Sequence, residues 1–518
     1  MTDNDYWYLH VARAGDLTGR DYYLYRAFEI LPAALSVGTL VLFVALSFYK
    51  PVWAAYLTIV FAAYWFFKTA YLSVHLRYNF KRIRHNMGIN WRERVQDVPH
   101  LPARAGSHLL HLVLVPYYDE PYEVLKETIS ALAISEWDTK RIAIVLASEA
   151  KKPAGKEIGE RLKVEYRDRF FDILVTSHPE NVPGEMAGKG SNIAYAAEQA
   201  RITLLDPQNI PYEHTVVSAF DSDTVVYPHY FGCLTWHVLT ADNPERASFQ
   251  PVPLFNNNIW EAPMLSRVMA YSASFWQMIQ QERPEKLATF SSHAVLFKPL
   301  YEGGYWQKNM VSEDSRIFWN LFLRYDGDYR VIPMAYPVSM DANVASSYWE
   351  TIKNIYKQQR RWTYGTAENA AYILFTFLKN PRIPRGKKIH AVFFQLEGAW
   401  SLATHPLVLF AIGWLPLFVG GAAFNATVLS YNLPQIARAF LTAAMLGLVV
   451  SAAICMYLIP ERPSRAPRHR SLFMILQWIL VPFTMVIFSS IPGLESQLRL
   501  ATKRYLGFWV TPKSRSAQ

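Results

Sequence analysis

The chain has 518 residues, of which 51% are hydrophobic, 15% aromatic and 18% charged, with a net charge of +10. Its charged fraction lies below the roughly 25% usual for soluble domains, yet mean hydropathy is near zero, so neither a wholly soluble nor a wholly membrane-embedded protein fits. Only Cys233 and Cys455 are present, which excludes a disulfide framework or a cysteine zinc site, and the basic excess beside apolar segments points to a lipid surface, with no support for nucleic acid.

The acidic, polar start (Met1 to Asp5) is not the pattern of a cleaved secretory signal. Ile30 to Tyr49 is uncharged and long enough for one helix across a bilayer. Pro51 to Leu76 reads as a second span, interrupted by Lys68 and His75. Arg77, Lys81, Arg82 and Arg84 follow, and positive flanks mark the cytoplasmic side. The two spans therefore read as a hairpin with both ends in the cytoplasm.

From Leu109 short apolar strands alternate with helices. His111–Pro116, Arg141–Leu146, Phe171–Thr176 and Thr215–Phe220 read as strands; 120–134, 156–166 and 192–204 read as helices. This pattern predicts an α/β domain around a mostly parallel sheet. Ligands in such sheets bind beyond the carboxyl ends of the strands. The water-soluble region runs to about Pro384.

Phe394 to Val419 is apolar again, with Glu397 inside it and Pro406 and Pro416 as breaks. Ala439 to Pro460 reads as a span, followed by a loop carrying Arg462, Arg465, Arg468 and Arg470. Ser471 to Leu494 is long enough to cross, but it is basic on both flanks. One reading makes it a re-entrant or interfacial helix pair hinged near Pro482 or Pro492. The other makes it a true crossing, with a short extra span at Ile389 to Ala403.

Three motifs carry chemistry. Asp221-Ser-Asp223 ends an apolar strand, and two carboxylates so spaced reach one hard cation, Mg²⁺ or Mn²⁺. Ser312-Glu313-Asp314 opens a helix and offers a general base for an acceptor hydroxyl. Gln358-Gln-Arg-Arg361-Trp362 offers a guanidinium for a diphosphate and an indole for a sugar ring. Each alone has a plainer reading: a solvated turn, a helix N-cap with acids in its first turn, and a basic helix beside lipid.

Together with Val115-Pro-Tyr117-Tyr-Asp119-Glu-Pro121, these motifs resemble the family-2 glycosyltransferases of the cellulose-, chitin- and hyaluronan-synthase type. The resemblance extends from the first hairpin to the C-terminus. It implies a GT-A-like glycosyltransferase domain inserted between transmembrane helices: residues 1–86 the N-terminal hairpin, 87–384 the cytoplasmic catalytic domain, 385–495 transmembrane and interfacial or re-entrant helices, and 496–518 a cytoplasmic tail. It implies inverting transfer from UDP-glucose or UDP-N-acetylglucosamine to a growing polysaccharide exported across the plasma or inner membrane. Asp314, with Glu313, matches the catalytic acid pair, and Asp221 and Asp223 match the metal and donor site. Tyr117, Glu149 and Lys189 match nucleotide-sugar contacts; Gln358, Arg361 and Trp362 match the acceptor and diphosphate site.

Phe508-Trp-Val510-Thr511-Pro-Lys513 is similar to the gating loop of cellulose synthases. The chain departs from the family in three places. Glu149 stands where an Asp pair is usual, Phe290-Ser-Ser292-His293 replaces Phe-x-Cys-Gly-Ser, and no span follows Phe508. The last departure implies a smaller channel or one completed by an accessory or identical subunit. A single-sugar transferase acting on a lipid-linked or short glycan is the alternative function. A transporter or a non-catalytic membrane scaffold is the third.

Overall fold

The computed structural model describes residues 3–98, 109–458, 460 and 469–511. Helices α1 (Gly19–Tyr49) and α2 (Pro51–Met87) form the expected hairpin about Lys50, with Pro51 in the first turn of α2, where its missing N–H costs nothing. α1 begins well before Ile30. Its first turns carry Arg26 and Glu29, both buried, so this amphipathic part docks on protein before the apolar part begins. Arg26 donates to the carbonyls of Leu500 (3.1 Å) and Ala501 (2.7 Å). Those carbonyls end the last helix of the chain, where a cation is favourable.

Eight strands make one sheet: β1 (Leu110–Pro116), β2 (Ile142–Glu149), β3 (Asp172–His178), β4 (Thr215–Ala219), β5 (Val225–Val226), β6 (Ala247–Phe255), β7 (Ala294–Leu296) and β8 (Arg330–Met340). Their order is β3-β2-β1-β4-β7-β6-β8-β5. Four pairings are parallel and three are antiparallel. The α/β class and the parallel half are as expected; the antiparallel insertion of β7 is not visible in the sequence pattern.

Both faces of the parallel half are covered. Leu112 and Leu114 pack with Ile193 and Ala197 on one side, while Val113 and Val115 pack with Leu125 and Ile129 on the other. That two-sided burial explains why β1 and β2 read as unbroken apolar runs. β1 lies between β2 and β4, so the order reverses there, and a crevice opens beyond the strand ends.

Helix α3 (Lys189–Ala200) follows β3, α4 (Met264–Gln281) follows β6, and α5 (Glu313–Arg324) precedes β8. α6 (Tyr348–Lys379) then leads to α7 (Arg385–Phe410), and α8 (Val428–Met456) covers most of the expected span at 439–460. α7 meets Ile412–Val419 at a bend of 46°. The bend falls at Ala411, between the two prolines named from sequence. Arg462, Arg465, Arg468 and Lys513 lie outside the described residues.

The run Phe473–Ala501 ends in α9 (Ile491–Ala501) and is one helical path of 29 residues. It contains no sharp hinge at Pro482 or Pro492, contrary to the re-entrant reading. A 3-10 turn at Gln477–Leu480 and a π turn at Val486–Ser490 precede the two prolines instead, which absorbs their missing donors without a break. Among the described residues, Gly19–Tyr49, Pro51–Met87 and Phe473–Ala501 are long and apolar enough to cross a bilayer, and α7 with Ile412–Val419 makes a fourth candidate.

Candidate active site

The predicted acids converge at the crevice. Asp221 follows β4, and its backbone N–H donates to Thr224 Oγ1 (3.0 Å), which fixes the turn. Lys189, at the start of α3, joins two motifs: its ammonium donates to Asp221 Oδ1 (2.5 Å) and Asp314 Oδ2 (2.9 Å). Burial alone would lower Lys189, but Asp221, Asp314 and Glu313 outweigh it and hold the ammonium well above the ordinary lysine value. Lys189 is therefore a fixed cation between two carboxylates that sequence places 93 residues apart.

Asp314 and Glu313 open α5 and face different surroundings. Asp314 is partly exposed, at 23%, and lines the cavity. Glu313 is 2% exposed. Burial first, and then the adjacent Asp314, push the Glu313 carboxyl well above the usual carboxylate range. The two neighbours thus differ as a wet carboxylate and a buried acid held toward its protonated form.

Close packing sets their position. A Cβ on Gly365 of α6 would fall 1.7 Å from Ser312 Oγ, so only glycine lets the start of α5 approach α6. Behind the site, Arg316 is fully buried and donates to Asn369 (2.7 Å) and Gln307 (3.1 Å), with Tyr372 beneath its guanidinium at 3.7 Å. His293 is also fully buried. It accepts from Trp306 Nε1 (3.1 Å), so Nδ1 carries the proton and donates to the Phe290 carbonyl (2.7 Å). Nδ1 lies 3.7 Å from Asp314 Oδ1, and burial lowers the ring's affinity for a second proton.

Asp221 faces the cavity, with 28% of its side chain exposed. Asp223 lies beneath it, wholly buried, and accepts from the Asp341 N–H (2.9 Å). Asn257 links the two segments, donating to the Asp223 carbonyl (3.0 Å) and Asp341 Oδ1 (3.0 Å). Among the described residues no three His, Cys, Asp or Glu side chains converge to hold a metal by themselves. Carboxylate oxygens suit Mg²⁺ or Mn²⁺, which commonly take one or two protein carboxylates and complete their shell with substrate phosphate and water. The donor set at Asp221 fits that mode.

The surroundings of Tyr117 and Glu149 are less as expected. Tyr117 is buried, and its hydroxyl donates to the Gly155 carbonyl (2.8 Å), leaving its ring at the cavity wall. Glu149 lines the cavity beside His178, which bridges Glu149 (3.3 Å) and Glu185 (2.9 Å). Burial opposes charge on His178, but the two carboxylates outweigh it and raise its pKa. His178 and Glu185 were not named from sequence. Their signal is position: His178 pairs in register with Glu149 at the end of the next strand.

The remaining motifs reach the same cavity. Gln358, Arg361 and Trp362 line it from α6, and Phe508, Val510 and Thr511 line it from the tail. Arg361 sits 4.8 Å from the centre of the Phe508 ring. Gly188 accommodates that ring, since a Cβ there would meet Phe508 Cγ at 2.5 Å. The cavity, about 2740 Å³, continues between the long helices past Tyr64, Lys68, Trp400 and His405. There Lys68 pairs with Glu397 (2.8 Å), the two charges that interrupt the apolar runs.

The chain is similar to a mannosyltransferase from Pyrobaculum calidifontis in complex with GDP-Man and Mn²⁺ (14% identity, TM-score 0.42, covering 75% of this chain and 98% of that one). It is also similar to S. aureus TarS 1-349 in complex with UDP-GlcNAc (12% identity, TM-score 0.36, covering 68% and 93%). GalNAc-T7 with UDP, GalNAc and Mn²⁺ is a third likeness (12% identity, TM-score 0.34, covering 57% and 58%). No curated protein sequence matches the chain. The family model described as Glycosyl transferase family group 2 matches residues 216–489, just over half the chain, and includes Asp221, Asp314 and Arg361. The chain belongs to glycosyl transferase family group 2 and is a glycosyltransferase.

Proposed function

We propose that this enzyme moves a sugar, with inversion, from a UDP-sugar (UDP-glucose or UDP-N-acetylglucosamine) to a growing polysaccharide, and passes the product between its long helices. The observation that carries this reading is the single cavity joining Asp221, Asp314 and Trp362 to Tyr64, Lys68 and Trp400 of the long helices. At about 2740 Å³ it is more than twice the upper end for a drug-sized pocket, about 1,000 Å³. It has room for a donor and several sugar units.

In this mechanism Asp314 takes the proton of the acceptor hydroxyl. That oxygen forms a bond to sugar C1 as the bond from C1 to the diphosphate oxygen breaks, and the electron pair leaves with the nucleotide diphosphate. Lys189 and Arg361 face the leaving charge, and Trp362 supports the acceptor ring. Asp221, with Asp223 behind it, would hold Mg²⁺ or Mn²⁺, which would supply charge neutralisation for the diphosphate. Tyr117 and Glu149 hold the nucleotide, and the segment Phe508–Thr511 closes over it.

We further infer that α1, α2, α7 and α8 cross the bilayer, with the catalytic domain and both termini cytoplasmic. Phe473–Ala501 lies in the interface on this reading. Trp260 of the sheet domain donates to the Pro460 carbonyl before that run, and Arg26 holds the carbonyls at its end. The run also packs along its length on α4 and α6, through Arg267 to Gln477 (2.8 Å) and Arg360 to Glu495 (2.8 Å), which supports an interfacial position.

The test is product length and sidedness. Protein in vesicles with the catalytic domain outward should convert external nucleotide-sugar into polymer protected in the lumen. A product of one added sugar, left outside, would overturn the export reading.

A further inference from the structure

The cavity has a side mouth where α2, the loop after α4 and the start of α7 meet. Arg283 and Lys286 reach it from the loop and His390 from α7, while the Lys387 ammonium donates to the Gly327 carbonyl (2.8 Å). Two carboxylates flank Arg283: Glu285, 3.5 Å from its Nε, and Glu282, which is held by Asn79 and Arg82 of α2. Aromatic rings set the cations in place. Lys286 Nζ lies 3.1 Å from the centre of the Phe394 ring, and Arg283 lies 5.3 Å from that of Tyr71 on α2.

On the bilayer topology proposed above, on which this inference rests, the mouth lies at the level of the lipid headgroups. At its level α2 passes from its apolar run to its basic end, where Asn79 and Arg82 both donate to Glu282. The flank is apolar and exposed: Trp276 at 46%, Ile389 at 70% and Phe393 at 59%. A basic helix start alone would report only membrane orientation. Here two cations of one loop meet aromatic rings supplied by two separate helices, Tyr71 of α2 and Phe394 of α7, at the wall of the large cavity. The loop that supplies Arg283 and Lys286 then runs inward to Thr289, whose hydroxyl donates to the Asp314 carbonyl (2.5 Å).

We propose that this mouth binds the phosphate headgroup of a membrane lipid, whose hydrocarbon chain leaves past Trp276 and Phe393. A guanidinium fork and an ammonium suit phosphate oxygens, and the exposed aromatic flank suits the boundary between headgroup and chain. The inference does not rest on the donor or on the role of Asp314, and its test reads lipid retention, not sugar transfer.

The experiment is native mass spectrometry of the purified full chain in micelles doped with phosphatidylcholine, phosphatidylglycerol or a polyisoprenyl phosphate, with inorganic phosphate as competitor. Wild type should retain either anionic lipid over phosphatidylcholine. R283Q/K286Q should retain it about 25-fold less, at about fivefold per cation removed. K286R, which keeps the charge, should stay near wild type and serves as the control for folding. Polyisoprenyl phosphate displacing phosphatidylglycerol would support the proposal and make the lipid an acceptor carrier. Equal retention of both would support a site that reads headgroup charge. Retention unchanged in R283Q/K286Q, no preference over phosphatidylcholine, or displacement by millimolar inorganic phosphate alone would overturn it.

Discussion

Two cation-centred clusters lie at opposite ends of the first turns of α5, and they differ in what they leave open. On the cavity side, Lys189 joins Asp221 to Asp314, and the two carboxylates remain 28% and 23% exposed. On the far side, Arg316 is sealed among Asn369, Gln307 and Tyr372 with no exposure. A partly open cluster can exchange a partner for a substrate group; a sealed one cannot without unfolding its surroundings. We therefore assign the proposed chemistry to the first and the holding of α5 to the second.

The largest expected effect follows from the open cluster. Asp314→Asn should lower sugar transfer by about 10²–10⁴, the usual range for a lost general base, with little change in Tm. Radiolabelled sugar incorporation beside a melting curve reads both, and a Tm loss matching the activity loss would erase the distinction.

Arg316→Met should do the reverse in kind. It leaves Asn369 Oδ1 and Gln307 Oε1 without their buried donor, so stability should fall by about 3 kcal/mol, at one to three per unsatisfied group. Denaturant or thermal unfolding in detergent measures it, and an unchanged Tm would show that the far cluster does not brace α5.

Gly365→Ala tests the contact between the clusters and α6. The added methyl collides with Ser312, at 1.7 Å, so overpacking should cost about 1–3 kcal/mol and displace Asp314. The expected kinetic signature is a lower kcat with donor KM little changed.

The smallest effect is a pH dependence of the sealed side. Burial, partly offset by Arg316, raises Glu368 to about 7. A raised carboxyl contributes stability that is present below its unfolded pKa, near 4.5, and is lost as pH rises through about 7. Tm should therefore decline from pH 4.5 to 7 in wild type and decline less in Glu368→Gln. Parallel curves for the two proteins would remove Glu368 from this role.

The same contrast runs through what the sequence discloses. β1, β2 and β4 were legible because burial on both faces demands unbroken apolar runs, and Asp221 was legible because such strands end at a crevice. β6 and β8 were not: Pro251, Pro253, Pro333 and Pro337 read as strand breakers, yet the two strands pair in parallel with a register shift at Gln250/Val252. The carboxylates of the motifs were visible as motifs, but their union through Lys189 depends on α3 and α5 meeting in space. His178 and Arg316 carry no local pattern of their own, because each is defined by partners from other elements: Glu149, 29 residues before His178, and Asn369, 53 residues after Arg316. Lys68 and Glu397 looked like two separate flaws in apolar spans and are one ion pair.

The most direct measurement is nucleotide diphosphate release from the purified full chain in nanodiscs, offered a panel of nucleotide-sugars with Mg²⁺ or Mn²⁺. The account predicts release for at least one UDP-sugar, matched by sugar transferred, abolished by chelation and reduced by Asp314→Asn while that variant still binds the nucleotide. Turnover by Asp314→Asn at near the wild-type rate would contradict it.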